Sequence, residues 1–204
     1  MLQKPYPKNL ATIPACHKCN ERFSEDEEVV EAVLAHVSFE EDLMRERRGG
    51  KVARAIDRNP KLKASTEGQT DENGRFRVTK KTLGKVSRVA EKTVQGLYFR
   101  RYERMLAPQD VTVLAIEHQH QVSVDQMIKQ FCGPESWPDV TRDGKALERA
   151  ALAHLGDIKV DWEDYQPGVF RFAFFKGRRS RLVCLLDLHQ TLVVAVECPR
   201  PPSR

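Results

Sequence analysis

FRFAFFKGRRSRLVCLLDLHQTLVVAV, residues 170–196, carries the sheet of this protein. Phe170, Phe172 and Phe174 alternate with Arg171 and Ala173. A period of two sends alternate side chains to opposite faces of a strand, which is the mark of a half-buried strand. Gly177-Arg178-Arg179-Ser180 forms a turn into the apolar run Leu182 to Leu186, and a second turn near Asp187 to Gln190 leads into Leu192 to Val196. Three strands joined by short turns predict an antiparallel meander. Pro199, Pro201 and Pro202 end regular structure after it.

Upstream of the meander the pattern is mainly helical. Ser24 and Glu27 make an S-x-x-E capping box, which predicts a helix start at Glu25 with acidic residues in its first turn, at the positive end of the helix dipole. Val29, Val30, Val33, Leu34 and Val37 give that helix one apolar face. EEDLMRERR, stopped by Gly49-Gly50, and VARAID, ending before Pro60, read as two further helical stretches. PKLKASTEGQTDENGR, residues 60–75, is rich in turn formers and reads as a loop or linker.

Phe76 to Thr79 reads as a short strand, and a long helix is predicted from Thr79 roughly to Leu106. Its expected apolar face holds Leu83, Val86, Ala90, Val94, Leu97 and Met105. VTVLAIEHQH, residues 111–120, reads as a buried strand running into a loop. His118 and His120 share one side of it, and loop histidines are the simpler account of the pair. Ser123 and Gln126 cap a helix with Val124, Met127, Ile128 and Phe131 inward, and Lys145 to Leu155 reads as another short helix. The fold class expected is α+β, with the meander packed on helices. The divisions are a knuckle segment with its helices at 1–60, a linker at 61–75 and an α+β domain at 76–204.

Composition narrows the function classes. The chain has 204 residues, 40% apolar and 31% charged, with a formal net charge of +5. No run is long enough to cross a bilayer and the N-terminus lacks the apolar core of a signal peptide, so a cytoplasmic setting is expected. Five cysteines at irregular spacing do not make a disulfide framework. There is no glycine-rich phosphate loop and no internal repeat. Lys81, Lys85, Arg88 and Lys92 are spaced four, three and four apart and align on one helix face, and Arg100, Arg101 and Arg104 continue the charge. Such a run is either a solvated face or a ridge that contacts the phosphates of nucleic acid.

The chemistry-bearing motif is PACHKCNERFSEDEE, residues 14–28. Cys16 and Cys19 form a C-x-x-C pair and Asn20 follows directly. Two thiolates at this spacing can hold one side of a tetrahedral zinc, which takes four ligands in a structural site. A redox pair would need a strand and a βαβ unit around the motif, and too few residues lie upstream for one. Cys132, Cys184 and Cys198 have no paired spacing and read as buried thiols.

The run NLATIPACHKCNERFSEDEE resembles the second half of the HNH (ββα-metal) endonuclease motif, closest to proteins with a P-x-C-x-x-C-N-x-x-F-S-x-D-E-E signature. VQGLYFRR at 94–101 is similar to a further segment of those proteins. The resemblance implies that Cys16 and Cys19 are the second zinc pair, and that Asn20 is the residue facing the catalytic metal. It further implies a structural zinc, a catalytic magnesium or other divalent ion, and DNA as substrate. No Cys and no His precedes Cys16, so the first zinc pair and the acid-His step of the family pattern are missing from this sequence. That histidine would be the general base.

Three expectations follow. The first is an endonuclease completed by an upstream half-motif. The second is a catalytically inactive nucleic-acid-binding relative. The third is a protein-interaction module, a homodimer in which Cys16 and Cys19 of two chains share one zinc.

Overall fold

The computed structural model describes residues 17–37, 54, 57–60, 62–63, 79–118, 124–131, 161–177 and 181–201. In chain order the elements are α1 (His17–Val37), α2 (Lys80–Tyr102), a 3-10 turn (Pro108–Asp110), β1 (Thr112–His118), α3 (Val124–Phe131), β2 (Glu163–Gln166), β3 (Phe170–Lys176), β4 (Arg181–Leu188) and β5 (Leu192–Pro199). The five strands form one antiparallel sheet in the order β1-β5-β4-β3-β2. This is the α+β architecture with a C-terminal meander that the sequence predicts. Among the described residues no helix is long and apolar enough to cross a membrane.

Two strands sit differently from the expectation. β1, which the sequence pattern gives no partner, forms the sheet edge beside β5, with Val113 opposite Val196 and Ile116 opposite Val194. β2 is a strand the sequence pattern does not announce. Pro167 and Gly168 turn it into β3, with Gly168 at φ 71° and the Val169 N–H donating to the Gln166 carbonyl at 2.9 Å. Proline followed by a positive-φ glycine suits the centre of a type II turn.

β4 also runs further than its sequence pattern implies. Asp187 is in the strand, paired with Arg171 across β3. The reversal falls at His189 and Gln190, both at positive φ (57° and 52°), and the Thr191 N–H donates to the Leu188 carbonyl at 3.1 Å. Positive φ at both central positions matches the right-handed twist of the flanking strands.

The centre of the sheet is covered on both faces. Leu182, Cys184, Leu186 and Leu188 of β4 and Leu192, Val194, Val196 and Cys198 of β5 join the core shared with α1 and α2. Val183 and Leu185, with Val193 and Ala195, point the other way and pack with Met127 and Ile128 of α3. Val86, Val89, Ala90, Val94, Leu97 and Tyr98 are the buried side of α2. Of the apolar face expected there, Leu83 is exposed because the buried arc includes Val89 and Tyr98 instead, and Met105 is exposed because the helix ends at Tyr102, before it. α2 opens on Thr79, whose Oγ1 accepts from the Thr82 N–H at 3.2 Å, and closes at Glu103, a left-handed residue whose N–H reaches the Phe99 carbonyl.

α1 differs at its start. The helix runs from His17, so Ser24 lies inside it and the S-x-x-E pattern is not its N-terminal cap. Its first turn holds no acidic residue, and the acidic cluster sits mid-helix. The apolar face is as expected for Val29, Val30, Val33 and Leu34. Within the 61–75 stretch, residues 62 and 63 are helical. Asn59 caps this turn, its Oδ1 accepting from the Leu62 N–H at 3.2 Å, and Leu62 is buried. The rest of that stretch, Phe76 to Val78, the EEDLMRERR segment, His120, and the helix expected at 145–155 lie outside the described residues.

Truncating Leu186, fully buried at the centre of β4, is expected to cost about 2–5 kcal/mol in Leu186→Ala. The exposed Leu83→Ala should stay within about 0.5 kcal/mol of the parent. Urea denaturation of both variants checks the assignment of core and surface.

Candidate functional site

α1 is built into the body of the protein by a polar clamp as well as by its apolar face. Asp26 is buried, and Arg88 of α2 meets it with two hydrogen bonds, Nε to Oδ2 at 2.7 Å and Nη2 to Oδ1 at 2.9 Å. Lys85 approaches the same carboxylate at 4.0 Å. A two-point guanidinium–carboxylate contact fixes orientation as well as distance. Asp26 holds the Arg88 guanidinium above its ordinary pKa, chiefly through this hydrogen bond. One helical turn before Asp26, Phe23 lies under Lys92, with Nζ 4.4 Å from the ring centroid.

This arrangement places the motif. Cys19 and Asn20 fall in the first turn of α1, at the end that leads away from the clamp, and Cys16 lies outside the described residues. His17 and Glu21 pair in the same turn, Nδ1 to Oε2 at 3.4 Å, both well exposed. Two thiolates are half of a tetrahedral zinc set. Among the described residues no group of three or more His, Cys, Asp or Glu side chains is placed to hold a metal ion, so the second half of a zinc set is not found among them.

The basic residues predicted as one ridge divide into two sets. Lys85, Arg88 and Lys92 form the seam against α1, and Lys81 is exposed one turn earlier. Arg100 and Arg101 stand at the other end of α2, beside β2 and β3. The Arg100 guanidinium lies 5.1 Å from the Tyr165 ring centroid. Arg101 pairs with Glu163 and lies 5.5 Å from Phe174 and 5.9 Å from Tyr102. Arg104 is exposed beyond the helix end. Burial pushes the Tyr98 and Tyr102 hydroxyls up, against the pull of Arg104 and Arg101 respectively, so both rings stay neutral at ordinary pH.

Sequence pattern alone misses Asp26 as the partner of the stripe, because an acidic residue 62 positions from Arg88 carries no periodic signal. It also misses the aromatic partners Tyr165 and Phe174. A further ion pair, Arg171 Nε to Asp187 Oδ2 at 2.6 Å, lies on the opposite sheet face with Arg171 4.5 Å from the Trp162 ring. A charged residue inside the apolar run LVCLLDL is the sequence clue to it. Asp187 neutralises Arg171, and the exposed Asp164 stands opposite Arg171 in register. That surface is electrostatically unsuited to anions, and the pair reads as structural.

No protein-family model matches this chain, and neither a curated protein nor a solved structure does so.

Two outcomes test this geometry. Arg88→Ala and Asp26→Ala, combined in a double-mutant cycle on unfolding free energy, should show a coupling of at least about 1 kcal/mol. A coupling near zero would mean that apolar packing alone seats α1. Burial raises the thiol of Cys198 to about 12 and pushes that of Cys184 well up. Neither thiol should react with iodoacetamide at pH 8 until the protein is unfolded, as mass mapping of the modified cysteines will show.

Proposed function

We propose that this chain is an HNH-type, endonuclease-like protein acting on DNA. Cys16 and Cys19 would hold one half of a zinc knuckle, and Asn20 would face a catalytic magnesium or similar divalent ion. One observation supports the reading above the rest: Cys19 and Asn20 of the C-x-x-C-N segment lie in the first turn of a helix. The resemblance implies this context for the second knuckle, and among the described residues the strands are all antiparallel, with no βαβ unit of the thioredoxin kind. The clamp at Asp26 then anchors the knuckle helix to an α+β body.

Phosphodiester hydrolysis in this reading needs two further zinc ligands and a general-base histidine from a first knuckle. A nucleic-acid-binding relative that keeps the basic surface without cleavage is the second reading.

The test uses protein isolated from its own source. It should contain zinc that Cys16→Ser or Cys19→Ser removes, and it should nick supercoiled plasmid only when magnesium or another divalent ion is added. Asn20→Ala should lower the nicking rate at least about tenfold. Zinc with salt-sensitive DNA binding and no nicking selects the second reading. One zinc shared between two chains through four thiolates, seen by X-ray absorption and native mass, points instead to a homodimeric interaction module. Protein without zinc and without nicking sinks the knuckle proposal.

A further inference from the structure

The two ends of α2 differ in what its basic residues touch. At the α1 end, Lys85, Arg88 and Lys92 are spent on Asp26 and Phe23. At the other end, Arg100 and Arg104 are exposed and have no hydrogen-bond or ion-pair partner among the described residues. Arg101 keeps 47% of its side chain exposed while paired with Glu163. Around Arg100 and Arg101 the fold gathers three half-buried rings: Tyr102 from α2, Tyr165 from β2 and Phe174 from β3. Tyr102 and Phe174 meet edge to face with centroids 6.1 Å apart.

We propose that this arginine and aromatic surface, made of Arg100, Arg101 and Arg104 with Tyr102, Tyr165 and Phe174, binds single-stranded nucleic acid. It rests on the nucleic-acid part of the proposed function for its ligand class, and not on the zinc knuckle.

The physical case has three parts. A guanidinium seated over a ring is held in place by the quadrupole while its N–H donors remain available, which suits a phosphate oxygen. A base can stack on a guanidinium plane that already lies over a ring, but only an unstacked base can do so, which favours a single strand over a duplex. The charge also sits in the last turn of a helix, where arginine is favoured by the dipole in any protein. That effect explains the arginines alone, and it does not explain why the rings from two strands converge on them. Glu163 pairs with Arg101, and the exposed Glu103 lies between Arg101 and Arg104 in the chain, so two acidic groups stand against three arginines.

The experiment is fluorescence anisotropy of a labelled 20-residue deoxythymidine strand over a salt series, against a duplex of mixed sequence. The parent should bind the single strand more tightly than the duplex. Arg100→Ala with Arg104→Ala should weaken single-strand binding about tenfold. It should also reduce the slope of log affinity against log salt by about 1.4, from two lost phosphate contacts.

Tyr165→Leu should weaken binding about tenfold, whereas Tyr165→Phe, which keeps the ring, should restore it. Arg54→Ala removes an exposed positive charge outside α2 and should leave affinity unchanged. A parent that does not bind the strand, or that binds the duplex as well, overturns the inference. So does an Arg100 and Arg104 double variant with an unchanged salt slope, or an Arg54→Ala loss as large as theirs. Circular dichroism of each variant confirms that it is folded. These readouts concern binding only, so zinc content and nicking judge the knuckle independently.

Discussion

The structure depends on the burial of β4 and β5 on both faces. From Leu182 to Leu188 and from Leu192 to Val196 every side chain is buried. An antiparallel sheet can leave one face to water, but a central pair with apolar side chains on both faces cannot. It needs a layer on each side. α2 and α1 supply one, and α3 begins the other with Met127 and Ile128. The outer strands follow from the same need: β1 and β3 flank the central pair, and the short β2 closes one edge with Glu163 and Asp164 exposed. Charge on a short edge strand discourages pairing with another chain. At the other edge the Val113 backbone donates to Glu91 of α2, whose carboxyl burial pushes up.

Seating α1 on α2 converts much of what looks like a binding ridge into internal structure. Leaving Asp26 buried without a partner would be strongly unfavourable, since an uncompensated charge away from water costs several kcal/mol. Arg88 offsets that cost with two aligned donors, and Lys85 adds a second positive neighbour. Roughly half of Arg88 stays in water, so the pair is a positional constraint more than a large source of stability. Its consequence is geometrical: Asp26 and the apolar face hold the middle of α1 against α2, while Cys19 and Asn20 fall in the helix's first turn.

The same seating leaves the basic residues at the far end of α2 in different company. There the last-turn arginines meet rings delivered by β2 and β3, and the pattern changes from ion pairing to guanidinium over aromatic faces. One helix therefore serves two purposes along its length, a structural seam near Lys85 to Lys92 and an open basic surface near Arg100 to Arg104.

The sequence by itself determined the local elements. The phenylalanine alternation of β3, the apolar runs of β4 and β5, the strand from Thr112, and most of the apolar arcs of α1, α2 and α3 are local signals that the structure carries, with Leu83 and Met105 the exceptions on the expected face of α2. It also supplied the C-x-x-C-N motif, which needs only neighbouring positions to be seen. What the tertiary structure decided is who faces whom. A period of two or of 3.6 says which side of an element is buried, but not against what. So the pairing of β1 with β5, the use of Arg88 to hold Asp26, the strand role of Asp187, and the meeting of Tyr165 and Phe174 with Arg100 and Arg101 were not legible from the chain. The capping pattern at Ser24 misled for a related reason. A local motif marks a helix start only if the preceding residues are not already helical, and here the turns from His17 onward are.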